Sequence, residues 1–179
     1  MRVIPGDTMP AVEARLVQAG GARWALAQEK PAKLALLAFY RGAFCPICRV
    51  WLADLDRLVP EFEQRGVSVI ALSCDPEESA RKSVAEWGLA RLRVGYGLDI
   101  EDARKAGLYV SEGRGVNPVT GVKEPVLFAE PALLLVRPTG ELYAAWLQST
   151  PYARVHFAEL LTAVDNFVAK DLPAPRGSA

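Results

Sequence analysis

Cys45 and Cys48 enclose Pro46 and Ile47 in a C-x-x-C pair. Two thiols at that spacing are close enough to bridge across one helical turn and to open again. They fall where an apolar run ends and an amphipathic segment begins. A helix N-terminus offers unpaired N–H groups and the positive end of its dipole, both of which stabilise an anion. The Cys45 thiolate is that anion, so its pKa is expected below the free value of about 8.5. Cys48, one turn further in, is expected to be more buried and to resolve the mixed disulfide. Pro46 suits the first helical position, which needs no N–H. Arg41 and Arg49 flank the pair and are expected to add positive potential.

The competing use of such a pair is half of a zinc site. Zinc usually takes four ligands, and the remaining Cys74 and His156 stand at no familiar ligand spacing. Reversible dithiol–disulfide exchange is therefore the leading reading. A non-enzymatic metal-binding or interaction module is the alternative outside catalysis. No metal or cofactor is expected. Cys74 is expected to be a buried bystander, and His156 and Arg154 to be ordinary residues of a last helix.

The rest of the chain must position this pair. It has 179 residues, 51% of them hydrophobic, with 21 Lys plus Arg against 21 Asp plus Glu. That length suits one domain, able to bury roughly 70% of its unfolded-chain surface. The balanced charge provides no field for nucleic acid or an anionic membrane. With no targeting signal and no apolar run of membrane-spanning length, a cytoplasmic location is expected. Three cysteines make an odd count, which argues against a structural disulfide framework.

The patterning predicts an N-terminal hairpin over 11–27, turning at Gly20-Gly21. The unbroken apolar runs Leu34–Tyr40 and Val67–Ser73 suit strands buried on both faces. Between them a helix is expected from Pro46 to Arg65, ended by Gly66. A second helix opens with Asp75 as N-cap and Pro76 at N1 and ends near Gly88. A weak strand over 92–95 and a short helix capped by Asp99 follow. Residues 111–130 are expected to be a long loop. A hairpin over 132–147 and a helix from Thr150-Pro151 to Lys170 close the domain (1–170), leaving a loose tail over 171–179. The expected fold is α/β: a mixed central sheet with helices on both faces and an N-terminal hairpin extension.

The segment Phe39-Tyr40-Arg41-Gly42-Ala43-Phe44-Cys45-Pro46-Ile47-Cys48 resembles the peroxiredoxin pattern F-Y-P-x-x-F-T-x-x-C without a gap. The chain looks like a peroxiredoxin-like redoxin of the AhpC/TSA group, in the thioredoxin superfamily. In that register Cys48 takes the peroxidatic position and Cys45 replaces the threonine. The same segment also resembles the thioredoxin dithiol, in which Cys45 would be the nucleophile. The resemblance implies a thioredoxin-like fold and an antioxidant oxidoreductase. Its partners would be protein or small-molecule disulfides, peroxides and a thiol reductant, and a homodimer would be in keeping with it. A thiol peroxidase working through Cys48 is the alternative within enzymes. Pro131 matches the family's cis-proline, which would leave a strand edge free to dock substrate. Tyr40 is expected beside the sulfur as part of a substrate surface. Glu130 stands near the family's arginine position, where an inward carboxylate would oppose thiolate formation.

Overall fold

The computed structural model describes residues 3–170 and 172–174; the expected tail over 171–179 lies largely outside the described residues. The elements, in order, are β1 (Glu13–Leu16), β2 (Arg23–Ala25), β3 (Leu34–Phe39), α1 (Pro46–Gln64), β4 (Val67–Leu72), α2 (Glu77–Trp87) and β5 (Arg93–Tyr96). They continue with α3 (Ile100–Lys105), β6 (Val110–Glu112), β7 (Leu127–Ala129), β8 (Ala132–Val136), β9 (Leu142–Leu147) and α4 (Phe157–Lys170).

The described residues form a seven-stranded sheet in the order β2-β1-β5-β4-β3-β8-β9. Strands β3, β4 and β5 run parallel, while β8 and β9 continue the sheet antiparallel. The fold is thioredoxin-like. All six residues of β3 are buried, because both faces of the sheet are covered. Leu34, Leu36 and Ala38 face α1, α2 and α4, where they meet Leu52, Leu55, Phe62 and Phe157. Ala35, Leu37 and Phe39 face the other side and meet Met9, Val12 and Ala103. A two-residue side-chain period with both faces apolar produces the unbroken run seen in the sequence. Helix α1 runs unbroken past Pro60 and stops before Gly66, whose φ of +74° continues no right-handed helix. No helix among the described residues is long and apolar enough to cross a membrane.

Three expected boundaries are corrected. Asp75 does not cap α2: the N-cap is Pro76, without a side-chain bond, and the helix starts at Glu77. Residues 111–130 are not a structureless loop. They form an arm closed by the two-stranded sheet β6–β7 and a bridge between Val116 and Lys123. Strands of three residues carry too short a pattern to be read. The last helix begins at Phe157, so Thr150 to His156 lie in an irregular loop ahead of it.

One buried carboxylate ties α1 to the chain leading into β5. Asp56 is 5% exposed and accepts from the N–H groups of Arg91 and Leu92, both at 2.8 Å. Removing it strands a buried donor. Asp56→Ala is expected to lower the unfolding free energy by about 2–3 kcal/mol in urea denaturation. Thiol reactivity should be unchanged, since neither cysteine is a partner of Asp56.

Candidate active site

Parallel strands end on one side of a sheet, and ligands in such folds gather outside those ends. Chain leaving β3 passes through Arg41–Phe44 and enters α1 at Pro46. Cys45 is the N-cap of α1, in extended backbone conformation, and Pro46 occupies the first helical position. The Cys45 sulfur accepts from the N–H of Cys48 at 3.3 Å. A thiol here does what a serine hydroxyl does at other helix starts.

Both sulfurs are buried, Cys45 at 1% exposure and Cys48 at 0%. The cation beside them is Arg154. Its Nη2 donates to Cys48 Sγ at 3.2 Å and to Cys45 Sγ at 3.6 Å. The guanidinium lies over the Trp51 ring, 4.8 Å from its centre, and its Nε donates to the Pro151 carbonyl at 2.9 Å. Its remaining nitrogen, Nη1, is buried and has no hydrogen-bond partner among the described residues. Trp51 is held in turn by its own bond to the Val155 carbonyl, 3.1 Å, and by the Phe157 ring.

These contacts separate the two thiols. Cys45 is lowered to about 6, first by the hydrogen bond from the Cys48 thiol. The Cys48 N–H and the charges of Arg154 and Arg41 lower it further, against the opposing effect of burial. Cys48 is raised, chiefly by complete burial and also by facing the Cys45 sulfur. The two thiols are thus driven in opposite directions, Cys45 toward the charged form and Cys48 toward the protonated one. Cys74 is set apart from the pair, pushed up to about 11 mainly by burial.

Other expected site residues fall in different places. Arg41 does act on Cys45, and its guanidinium packs over the Phe44 and Phe128 rings. Arg49 is exposed and is not among the charges acting on either sulfur. Glu130 does not oppose the thiolate: its carboxylate pairs with Arg41 at 3.2 Å and accepts from Ser111 at 2.6 Å. Tyr40 is fully buried, edge-on to Trp87, and so cannot line a substrate surface. Pro131 is buried and preceded by a trans bond, as no cis peptide occurs among the described residues. Its carbonyl accepts from Gln148, and β8 is paired on both sides, so no free strand edge is left for docking. His156 sits in the loop before α4, exposed.

Arg154 is the functional residue that sequence reasoning missed. Placing Thr150-Pro151 at the start of a helix put it on a regular surface, whereas the loop carries it back across the α1 N-terminus. The arm over 113–126 covers the other side. There Thr120 Oγ1 donates to the Phe44 carbonyl at 3.0 Å, and Val122 packs on the core that contains both cysteines.

Alkylation of the reduced protein is expected to show a midpoint of about 6, well below a free thiol. Arg154→Ala should raise it by about one pH unit, because an adjacent cation favours the charged form. An unchanged midpoint in that variant would remove Arg154 from the site.

The AhpC/TSA family model matches residues 5–145. A 1-Cys peroxiredoxin of Onchocerca volvulus is 32% identical over 92 residues, 51% of this chain and 39% of that protein. A 1-Cys peroxiredoxin of Dirofilaria immitis is 48% identical over 50 residues, 28% of this chain and 21% of that protein. The chain thus spans well under half the length of these curated relatives. Among solved structures, Mycobacterium bovis AhpC superposes with a TM-score of 0.71 at 21% identity, covering 98% of each chain. With its family pattern spanning the sheet and the cysteine pair alike, the chain belongs to the AhpC/TSA family and is a peroxiredoxin-like redoxin.

Proposed function

We propose that this protein is a dithiol oxidoreductase that reduces peroxides, with Cys45 as the attacking sulfur and Cys48 as the resolving one. The observation that carries the reading is Arg154, bonded to both sulfurs with one buried N–H-bearing nitrogen left over. A peroxide oxygen next to Cys45 would find a donor there, where charge develops as the O–O bond breaks.

In the first step the Cys45 thiolate attacks the terminal peroxide oxygen. The O–O bond breaks, the departing alkoxide or hydroxide takes a proton from solvent, and Cys45, keeping the transferred oxygen with the peroxide's own proton, becomes a sulfenic acid. Cys48 then attacks the Cys45 sulfur. The S–S bond forms, and the sulfenic oxygen leaves as water with the Cys48 proton. An external thiol reductant supplies two electrons and two protons to reopen the disulfide. The work belongs to one domain over 1–170 and to a reducing compartment such as the cytoplasm.

Two features favour a small oxidant over a protein disulfide. Cys45 is a buried residue, 1% exposed, and a folded partner would need access to its sulfur along the line of attack. The strand edge that could hold a peptide is already paired at Pro131 and β8. A second assignment of roles has one observation behind it: Arg154 lies closer to Cys48 than to Cys45. In that assignment Cys48 meets the peroxide, in the peroxidatic register.

Peroxide consumption by single variants separates these. Cys45→Ser is expected to abolish both the first oxidation and steady turnover. Cys48→Ser should retain one oxidation per chain, leaving a trappable sulfenic acid at Cys45, but should not cycle. A Cys45→Ser protein that still consumes one equivalent of peroxide would transfer the attack to Cys48.

A further inference from the structure

Asp75 is a buried carboxylate beside the site that the proposed reaction does not use. It is 2% exposed, and among the described residues no ion pair reaches it. A carboxylate taken out of water without a cation is unfavourable unless hydrogen bonds replace the solvent, and burial pushes this one up to about 6. Its Oδ2 accepts from the Ala43 N–H at 2.9 Å, two residues before Cys45.

The contact is built from both sides. Gly42 has a φ of +137°, and a Cβ there would stand 2.5 Å from Asp75 Oδ1. Only glycine allows the backbone to come this close. Asp75 itself cannot retreat easily. Its N–H donates to Ser73 Oγ at 3.3 Å, and its carbonyl accepts from Gly97 at 2.9 Å. The carboxylate thus fixes the turn after β3 to the ends of β4 and β5. The turn passes the constraint on, since the Gly42 carbonyl accepts from the Cys45 N–H at 3.1 Å.

We propose that Asp75 is a positioning residue for Cys45: through the Ala43 N–H it holds the Gly42–Phe44 turn so that the Cys45 sulfur sits on the N–H of Cys48. The inference rests on reading Cys45 as the reacting sulfur. It needs an acceptor at position 75, not a negative charge. Asparagine can supply the acceptor and alanine cannot.

The test compares thiol titration and single-turnover peroxide oxidation in Asp75→Ala, Asp75→Asn and Gly42→Ala. In Asp75→Ala the Cys45 midpoint should rise by about one pH unit, and oxidation should slow about tenfold. Asp75→Asn should restore both to near wild type. Gly42→Ala, which keeps Asp75 but forces the turn away, should repeat the alanine result and covers the case in which Asp75→Ala does not fold. An unchanged midpoint in Gly42→Ala or in folded Asp75→Ala would overturn the proposal. So would an asparagine variant as impaired as the alanine. Failure of the Cys45 reading would show separately, as first oxidation of wild type at Cys48.

Discussion

The Cys45 sulfur is almost wholly removed from water, and a thiolate survives there only if fixed donors and charges stand in for solvent. The first turn of α1 supplies the Cys48 N–H and the Cys48 thiol. Arg154 supplies the closest full charge, from a loop more than a hundred residues along the chain. Burial acts on both sulfurs and Arg154 bonds both, but only Cys45 also accepts from the Cys48 N–H and thiol, so one thiol is lowered and its neighbour raised. Two groups whose environments drive their protonation apart are suited to different steps. That asymmetry is what a nucleophile and a resolver need.

The rest of the fold serves to hold this arrangement still. Strand β3, buried on both faces, delivers the chain to the α1 N-terminus in one place. Trp51 and Phe157 form the platform on which the Arg154 guanidinium rests. The arm over 113–126 closes the opposite side through Thr120. Glu130 is paired with Arg41, so the carboxylate meets a cation rather than the thiolate, and the Arg41 charge still lowers Cys45.

Much of the frame was legible in the residues. The runs at 34–40 and 67–73 are apolar without alternation, and strands covered on both faces require that pattern. The helix start at Pro46 follows from proline at the first helical position. What escaped reading was whatever depends on approach across long sequence distance. Arg154 sits in a loop of no period, so nothing local marks it as facing sulfur. Asp75 has the type and place of a helix cap, and its actual partner, Ala43, is visible only once β3 and β4 lie side by side. Glu130 suggested an opposing charge because its partner Arg41 stands 89 positions earlier in the chain. Pro131 has the position of a docking proline, yet the pairing of β8 and the bond from Gln148 decide its role, and both are tertiary.

The central claim is that the negative charge resides on Cys45 and the proton on Cys48. Residue-resolved NMR of the reduced protein, with isotope-labelled cysteine, tests it most directly because each side-chain carbon reports its own sulfur. The account predicts that the Cys45 signal titrates with a midpoint of about 6 while the Cys48 signal stays in its thiol position through that range. A titration near 6 at Cys48, with Cys45 unmoved, would contradict it.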